Sequence, residues 1–120
     1  MIFILNDGNS ISLFWKIGKK IYEDKEKYDN VVLKYADYLS YYYGNSHFYT
    51  RENIRFMKLF YLSFPIFNIK LEKISWEQYK LLLKIDNERE RYFYFYLSLL
   101  FNSDFEETKS FIKNNYYKRI

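Results

Sequence analysis

The chain has no cysteine, one proline, three glycines and a single histidine in 120 residues. Without cysteine there are no disulfides and no thiolate metal ligands, and a reducing compartment fits. One histidine without cysteine leaves no residue set for a zinc site or a nucleophile–histidine triad. The scarcity of breakers (only Pro65, Gly8, Gly18 and Gly44) argues for a helical chain. Long apolar runs are also missing. The longest, Tyr92 to Phe101, is too short to span a bilayer. The opening M-I-F-I-L-N-D-G has no basic start and turns polar at Asn6, so it does not read as a secretory signal. No internal repeat or low-complexity linker interrupts the chain. A soluble cytoplasmic protein is expected.

What is present is aromatic and aliphatic. Residues of the apolar class make up 49% of the chain, with fifteen Tyr and twelve Phe. That is enough to bury a core, and the length suits one domain. Lys, Asn, Ile, Phe and Tyr are all favoured by AT-rich codons. Much of the bias therefore reads as genomic, from a low-GC bacterium or a phage or mobile element within one. The net charge of +4 is modest, but it is unevenly placed. Residues 1–49 are balanced. The positive excess lies in residues 50–65 (Arg51, Arg55 and Lys58 against Glu52) and in the tail (Lys109, Lys113, Lys118 and Arg119 against Glu106 and Glu107). Local basic patches suit a nucleic-acid partner and also occur in many domains without one.

An all-α fold of about six helices is expected. The first runs from Ser10 to Glu26 with Leu13, Phe14, Ile17 and Ile21 as its apolar face. Gly18 lies inside it, at a cost of about 1 kcal/mol relative to Ala, which close approach of another helix would offset. The second covers Asn30 to Tyr43, its apolar face drawn from Val31, Leu33, Tyr35, Tyr38, Leu39 and Tyr42, with Gly44 as the terminating glycine. A turn over Gly44 to Tyr49 leads to a third helix over Thr50 to Phe64. The connector Pro65 to Lys73 alternates as a short extended segment does. Ser75 and Gln78 form a capping box for a fourth helix reaching Lys84. Asp86 or Asn87 caps a fifth. Ser103 and Glu106 read as a second capping box, opening a last helix to Tyr117. The run Tyr92 to Leu97 has strand propensity and no polar face. It reads as a helix because a centrally buried helix is apolar all round.

The third helix carries the functional signal. One face offers Ile54, Met57, Phe60, Tyr61 and Phe64. Arg51, Asn53, Arg55 and Lys58 offer polar groups near its start, just after a turn. This is the layout of a helix-turn-helix recognition helix. Arg reads guanine, Asn reads adenine and Lys contacts phosphate. The alternatives are a solvated helix face and, for Asn53, a structural bond that holds the turn. Lys109, Lys113, Lys118 and Arg119 are a second candidate patch for the nucleic-acid backbone, or simply a solvated terminal helix.

The order of motifs resembles the N-terminal domain of the YhcG family, bacterial proteins that carry a PDDEXK nuclease-like domain further on. Trp15 to Ile21 is similar to its opening W-x-I-G-[KR]-x-I. Tyr49 to Tyr61, closing at Phe64-Pro65, is similar to F-S-x-x-N-L-x-x-M-[RK]-x-F-Y…F-P. Ile74 to Leu82 resembles L-S-W-x-H-Y-x-x-L-L. Glu88 to Tyr94 resembles E-R-x-F-Y with one extra residue, and Tyr117 to Ile120 resembles Y-E-R-L. Residues 74–112 resemble, more distantly, the helical DNA-binding region of ParB-type partition proteins. The resemblance implies a helix-turn-helix-like, DNA-binding module. There are two departures. Gln78 stands where the family has His, and the sequence stops where the family's nuclease part would begin. A stand-alone gene or an excised domain both fit. A stand-alone copy on a mobile element would bind DNA, or would act on a protein as an inhibitor or accessory subunit of a host defence nuclease complex.

Catalysis finds little support. His47 reads as a turn residue. Asp7 with Glu23 and Lys25 echoes a metal-dependent nuclease, but positions i and i+2 do not share a helix face. No enzyme, metal or cofactor is expected. Trp15 and Trp76 are candidates for base stacking, but their helical spacing with Ile17 and Leu81 favours the core. Tyr41 to Tyr43 and Tyr92 to Tyr96 suit a protein interface, including a homodimer.

Overall fold

The computed structural model describes residues 11–24, 28–44 and 47–119. They form six α-helices and three 3-10 turns, with no strand among the described residues. The helices are α1 (Ile11–Glu23), α2 (Tyr28–Tyr43), α3 (Arg51–Ser63), α4 (Trp76–Leu83), α5 (Glu88–Leu100) and α6 (Phe105–Lys113). The 3-10 turns are His47–Tyr49, Ile69–Lys73 and Tyr116–Arg119. Contacts divide the chain into two compact units, residues 1–67 and residues 68–120.

In the first unit the dominant packing is α1 against α3. The face expected on α1 is the buried one: Leu13, Phe14, Ile17 and Ile21. It meets Ile54, Met57 and Phe60, which are fully buried on α3. Each such side chain contributes roughly 1.5–3 kcal/mol by leaving water. Gly18 makes the close approach possible. A Cβ built there would lie 2.0 Å from the Met57 carbonyl oxygen and 2.6 Å from its carbon. On α2 the buried face is Val32, Tyr35, Ala36 and Leu39, at i, i+3, i+4 and i+7. The expected face is thus corrected in part. Tyr42 is 63% exposed, while Val31 and Leu33 lie outside the described side chains. Gly44 ends the helix with φ 88°, the left-handed value a terminal glycine supplies without strain.

The second unit packs α4, α5 and α6 together with the last 3-10 turn. Its core includes Leu71, Ile74, Trp76, Tyr79, Leu82, Tyr94 and Phe95. Residues 69–73 are a 3-10 turn rather than the extended segment expected from alternation. Asn68 starts it by accepting the Lys70 N–H at 2.9 Å. Leu71 and Ile74 point inward at a spacing of three, while Ile69 stays exposed. The Tyr79 hydroxyl donates to the Leu71 carbonyl, and burial pushes the Tyr79 phenol far above the ordinary tyrosine range.

Gln78 ties the second unit together. Its Oε1 accepts the Ser75 N–H at 3.0 Å, completing the capping box expected for α4. Its Nε2 donates to the Ser103 carbonyl at 2.8 Å and to Thr108 Oγ1 at 3.0 Å. Ser98 Oγ continues the chain, 3.0 Å from Thr108 Oγ1, and donates to the Tyr94 carbonyl at 2.8 Å. A neutral imidazole has one donor and one acceptor. The carboxamide, with two donors, makes one bond more here than a neutral histidine would.

Three details differ from expectation. The cap of α6 is Asp104, which accepts the Glu107 N–H while Glu107 returns a bond to the Asp104 N–H. The Ser103 hydroxyl is buried without a partner. The helix stops at Lys113, and Asn115 at φ 60° breaks it before the final 3-10 turn. The fifth segment is a helix, as expected, but it is not buried all round. Tyr94, Phe95 and Ser98 face the core, while Tyr96 and Leu100 are 54% and 77% exposed.

A candidate binding face on the third helix

Local chemistry holds α3 at both ends. Thr50 Oγ1 accepts the Asn53 N–H at 3.2 Å, as an N-cap does. The Asn53 side chain turns back and donates from Nδ2 to the Phe48 carbonyl at 2.9 Å. At the other end Trp15 Nε1 donates to the Phe64 carbonyl at 2.8 Å. The Trp15 ring packs on Tyr61 and Phe67 at 5.3 and 5.5 Å. The start, the end and the inner face of α3 are therefore all fixed within the first unit.

Of the four residues expected to make contacts, the structure leaves three facing outward. Asn53 is corrected. It is only 3% exposed, and its carboxamide holds the turn that precedes the helix. Its side chain lies on the inner face, turned away from any ligand on the outer one. Arg51 and Arg55 are exposed and lie one turn apart. Neither guanidinium has a hydrogen-bond or ion-pair partner among the described residues. Lys58 is half-buried on the flank, and desolvation lowers its pKa from the ordinary lysine value. Glu52 brings an opposing charge to the first turn.

The sequence reading missed the second half of this face. Leu59 and Leu62 are 39% and 45% exposed, on the same stripe as Arg55. With Glu52, Arg55, Phe56 and Lys58 they line an open hollow of about 500 Å³. The signal was present in the spacing 52, 55, 59 and 62, which is as helical as that of the inner stripe. The inner stripe dominates the sequence pattern because it is longer and more aromatic.

The remaining candidates are dispersed. Lys109 and Lys113 share a face of α6, with Lys109 5.9 Å over the Phe105 ring. Lys118 and Arg119 belong to a separate turn, where Arg119 stacks 5.2 Å over Tyr116. The four cations of the second candidate patch thus lie on two elements. His47 opens the 3-10 turn before α3. Asp7 and Lys25 lie outside the described residues, and Glu23 ends α1. Trp76 is buried and Trp15 half-buried, both as packing residues. Tyr41 is exposed beside Tyr42, their rings 5.1 Å apart. Tyr92 and Tyr96 stack at 6.4 Å on the outer side of α5. Among the described residues no helix is long and apolar enough to cross a membrane.

No curated protein and no solved structure gives a significant match to this sequence. A family model does. The model of the DUF1016 N-terminal domain matches residues 5–119, a span that runs through both compact units and agrees with the YhcG-like motif order. The chain belongs to the DUF1016 N-terminal domain family.

Proposed function

We propose that the chain is a non-catalytic, cytoplasmic DNA-binding module whose α3 enters the major groove by its first two turns. One observation carries this reading. Arg51 and Arg55 are exposed, and unpaired among the described residues, at the start of a helix anchored on its opposite face. An anchored helix fixes the backbone that carries the two guanidiniums, so that only their side chains are ordered on binding, and a helix N-terminus favours phosphate. Arg51 and Arg55 would divide between guanine edges and phosphates, with Lys58 at the flank. In this reading the turn before α3 and the preceding α2 complete a helix-turn-helix order. Lys109, Lys113, Lys118 and Arg119 are a secondary backbone contact in the same reading. The exposed tyrosines of α2 and α5 are its dimer surfaces.

Fluorescence anisotropy with a labelled duplex across a salt series tests it. The Arg51→Ala/Arg55→Ala variant should bind at least about tenfold more weakly. Its salt slope should be reduced by up to about 2, the share of two phosphate contacts. A folded double variant that binds as well as wild type defeats the proposal.

A second reading is a protein-interaction module, an inhibitor or accessory subunit acting on a host defence nuclease complex. The exposed Leu59 and Leu62 favour it. A nuclease that co-purifies with the chain after DNase treatment would support it, and a clean pull-down would count against it.

A further inference from the structure

The outer face of α3 changes character along its length. Its first two turns present Arg51 and Arg55, while its last two present Leu59 and Leu62 with Phe56 on the flank. A major groove offers phosphates, polar base edges and, as its apolar groups, thymine methyls. Two half-exposed leucines and a phenylalanine are poorly matched to that surface. They are well matched to the apolar anchors of an amphipathic helix, which recur at i, i+3, i+4 and i+7.

We propose that this face is a docking site for an acidic amphipathic helix from a partner protein. The proposal rests on the protein-interaction reading above and gives its partner a chemistry. Charge complementarity identifies the occupant. Arg55 and Lys58 line the hollow with the leucines, and Arg51 lies one turn further toward the helix start, against Glu52 on the same lining. Lys58 is half-buried and partly desolvated on this face. The helix is 13 residues long, so a partner helix of about four turns covers its roughly 20 Å. Such a helix would place leucines or phenylalanines over Phe56, Leu59 and Leu62, and glutamates or aspartates beside Arg55 and Lys58. Because Arg51 and Arg55 are also the residues assigned to DNA, the acidic helix and a duplex exclude each other.

The test uses the full chain and three labelled probes. One is a peptide of about 15 residues with leucines spaced three and four apart and glutamates on the flanks. One is a scrambled peptide of the same composition, and one is a DNA duplex. The patterned peptide should bind about tenfold more tightly than the scrambled one. Leu59→Ser with Leu62→Ser should remove that advantage and leave duplex binding intact. Both leucines are exposed, and circular dichroism checks that the variant is folded. Unlabelled duplex should displace the patterned peptide. Equal binding of the two peptides, or undiminished binding by the leucine variant, overturns the docking proposal. Absence of duplex binding alongside patterned-peptide binding overturns the DNA reading and leaves the docking site standing.

Discussion

Replacing Gly18 by Ala tests the fold at the point that positions the candidate face. In an unhindered helix interior this change should stabilise, because Ala exceeds Gly by about 1 kcal/mol in helix propensity. Here the new Cβ would stand 2.0 Å from the Met57 oxygen, 2.6 Å from its carbonyl carbon and 3.2 Å from the Lys58 nitrogen. All three are backbone atoms of α3, so no side chain can swing aside. Ordinary contact needs about 3.5 Å, so the Met57 oxygen falls short by about 1.5 Å and the helices must move apart. A gap of even about 0.5–1 Å forfeits a quarter to a half of each dispersion contact along the seam. The seam includes Phe14, Ile17 and Ile21 on α1 and Ile54, Met57 and Phe60 on α3. Overpacking of this kind costs about 3 kcal/mol at the upper end of its usual range. Subtracting the propensity gain leaves a loss of about 2 kcal/mol. The melting temperature should fall by roughly 10 °C. Urea and thermal unfolding followed by far-ultraviolet circular dichroism measure both quantities. A variant as stable as wild type, or more stable, would show that α1 and α3 do not meet at Gly18, and the placement of Arg51 and Arg55 would fall with it.

Further outcomes follow from named contacts. Gln78→Leu should cost about 2–3 kcal/mol, because the Ser75 N–H and the Ser103 carbonyl lose their partner; a thermal melt within about a degree of wild type would refute the network's importance. Asn53→Ala should lower stability by about 1–2 kcal/mol through the freed Phe48 carbonyl. Duplex affinity of the variant that remains folded should not change, and a selective loss of affinity for adenine-containing sites would restore Asn53 as a reader. Tyr79 should stay protonated in the folded state well above the pH at which exposed tyrosines ionise. Its pKa is raised in the folded state, so its contribution to stability is complete below the unfolded value near 10 and is lost as pH rises further. Ultraviolet titration of wild type against Tyr79→Phe should show this phenol ionising only as the second unit unfolds; ionisation within the first tyrosine transition would contradict the burial.

The legible features are those decided within a few residues. Thr50, Ser75 with Gln78, and Gly44 are helix boundaries because each acts on a backbone group no more than four positions away. Gly18 was legible as a close approach because a glycine inside an otherwise good helix needs a reason. The cap of α6 was not, since Ser103 with Glu106 and Asp104 with Glu107 compete at adjacent registers. Packing decided between them by burying Ser103 and engaging its carbonyl with Gln78. The aromatic run of α5 suggested a helix buried on every side. In the fold Tyr94, Phe95 and Ser98 are buried, while Tyr96 and Leu100 are exposed.

The candidate face divides in the same way. The sequence by itself determined an all-helical chain with a basic, capped third helix, because hydrophobic period and capping chemistry act locally. It could not determine which polar residue turns inward or which leucine stays in water. Those choices depend on what stands across the helix. The Phe48 carbonyl drew Asn53 into the interior, and α1, meeting α3 at Gly18, buried Met57 and left Leu59 and Leu62 on the far side. Only tertiary structure brings those partners together, and it gave the helix that reads from sequence as basic an outer face that is half basic and half apolar.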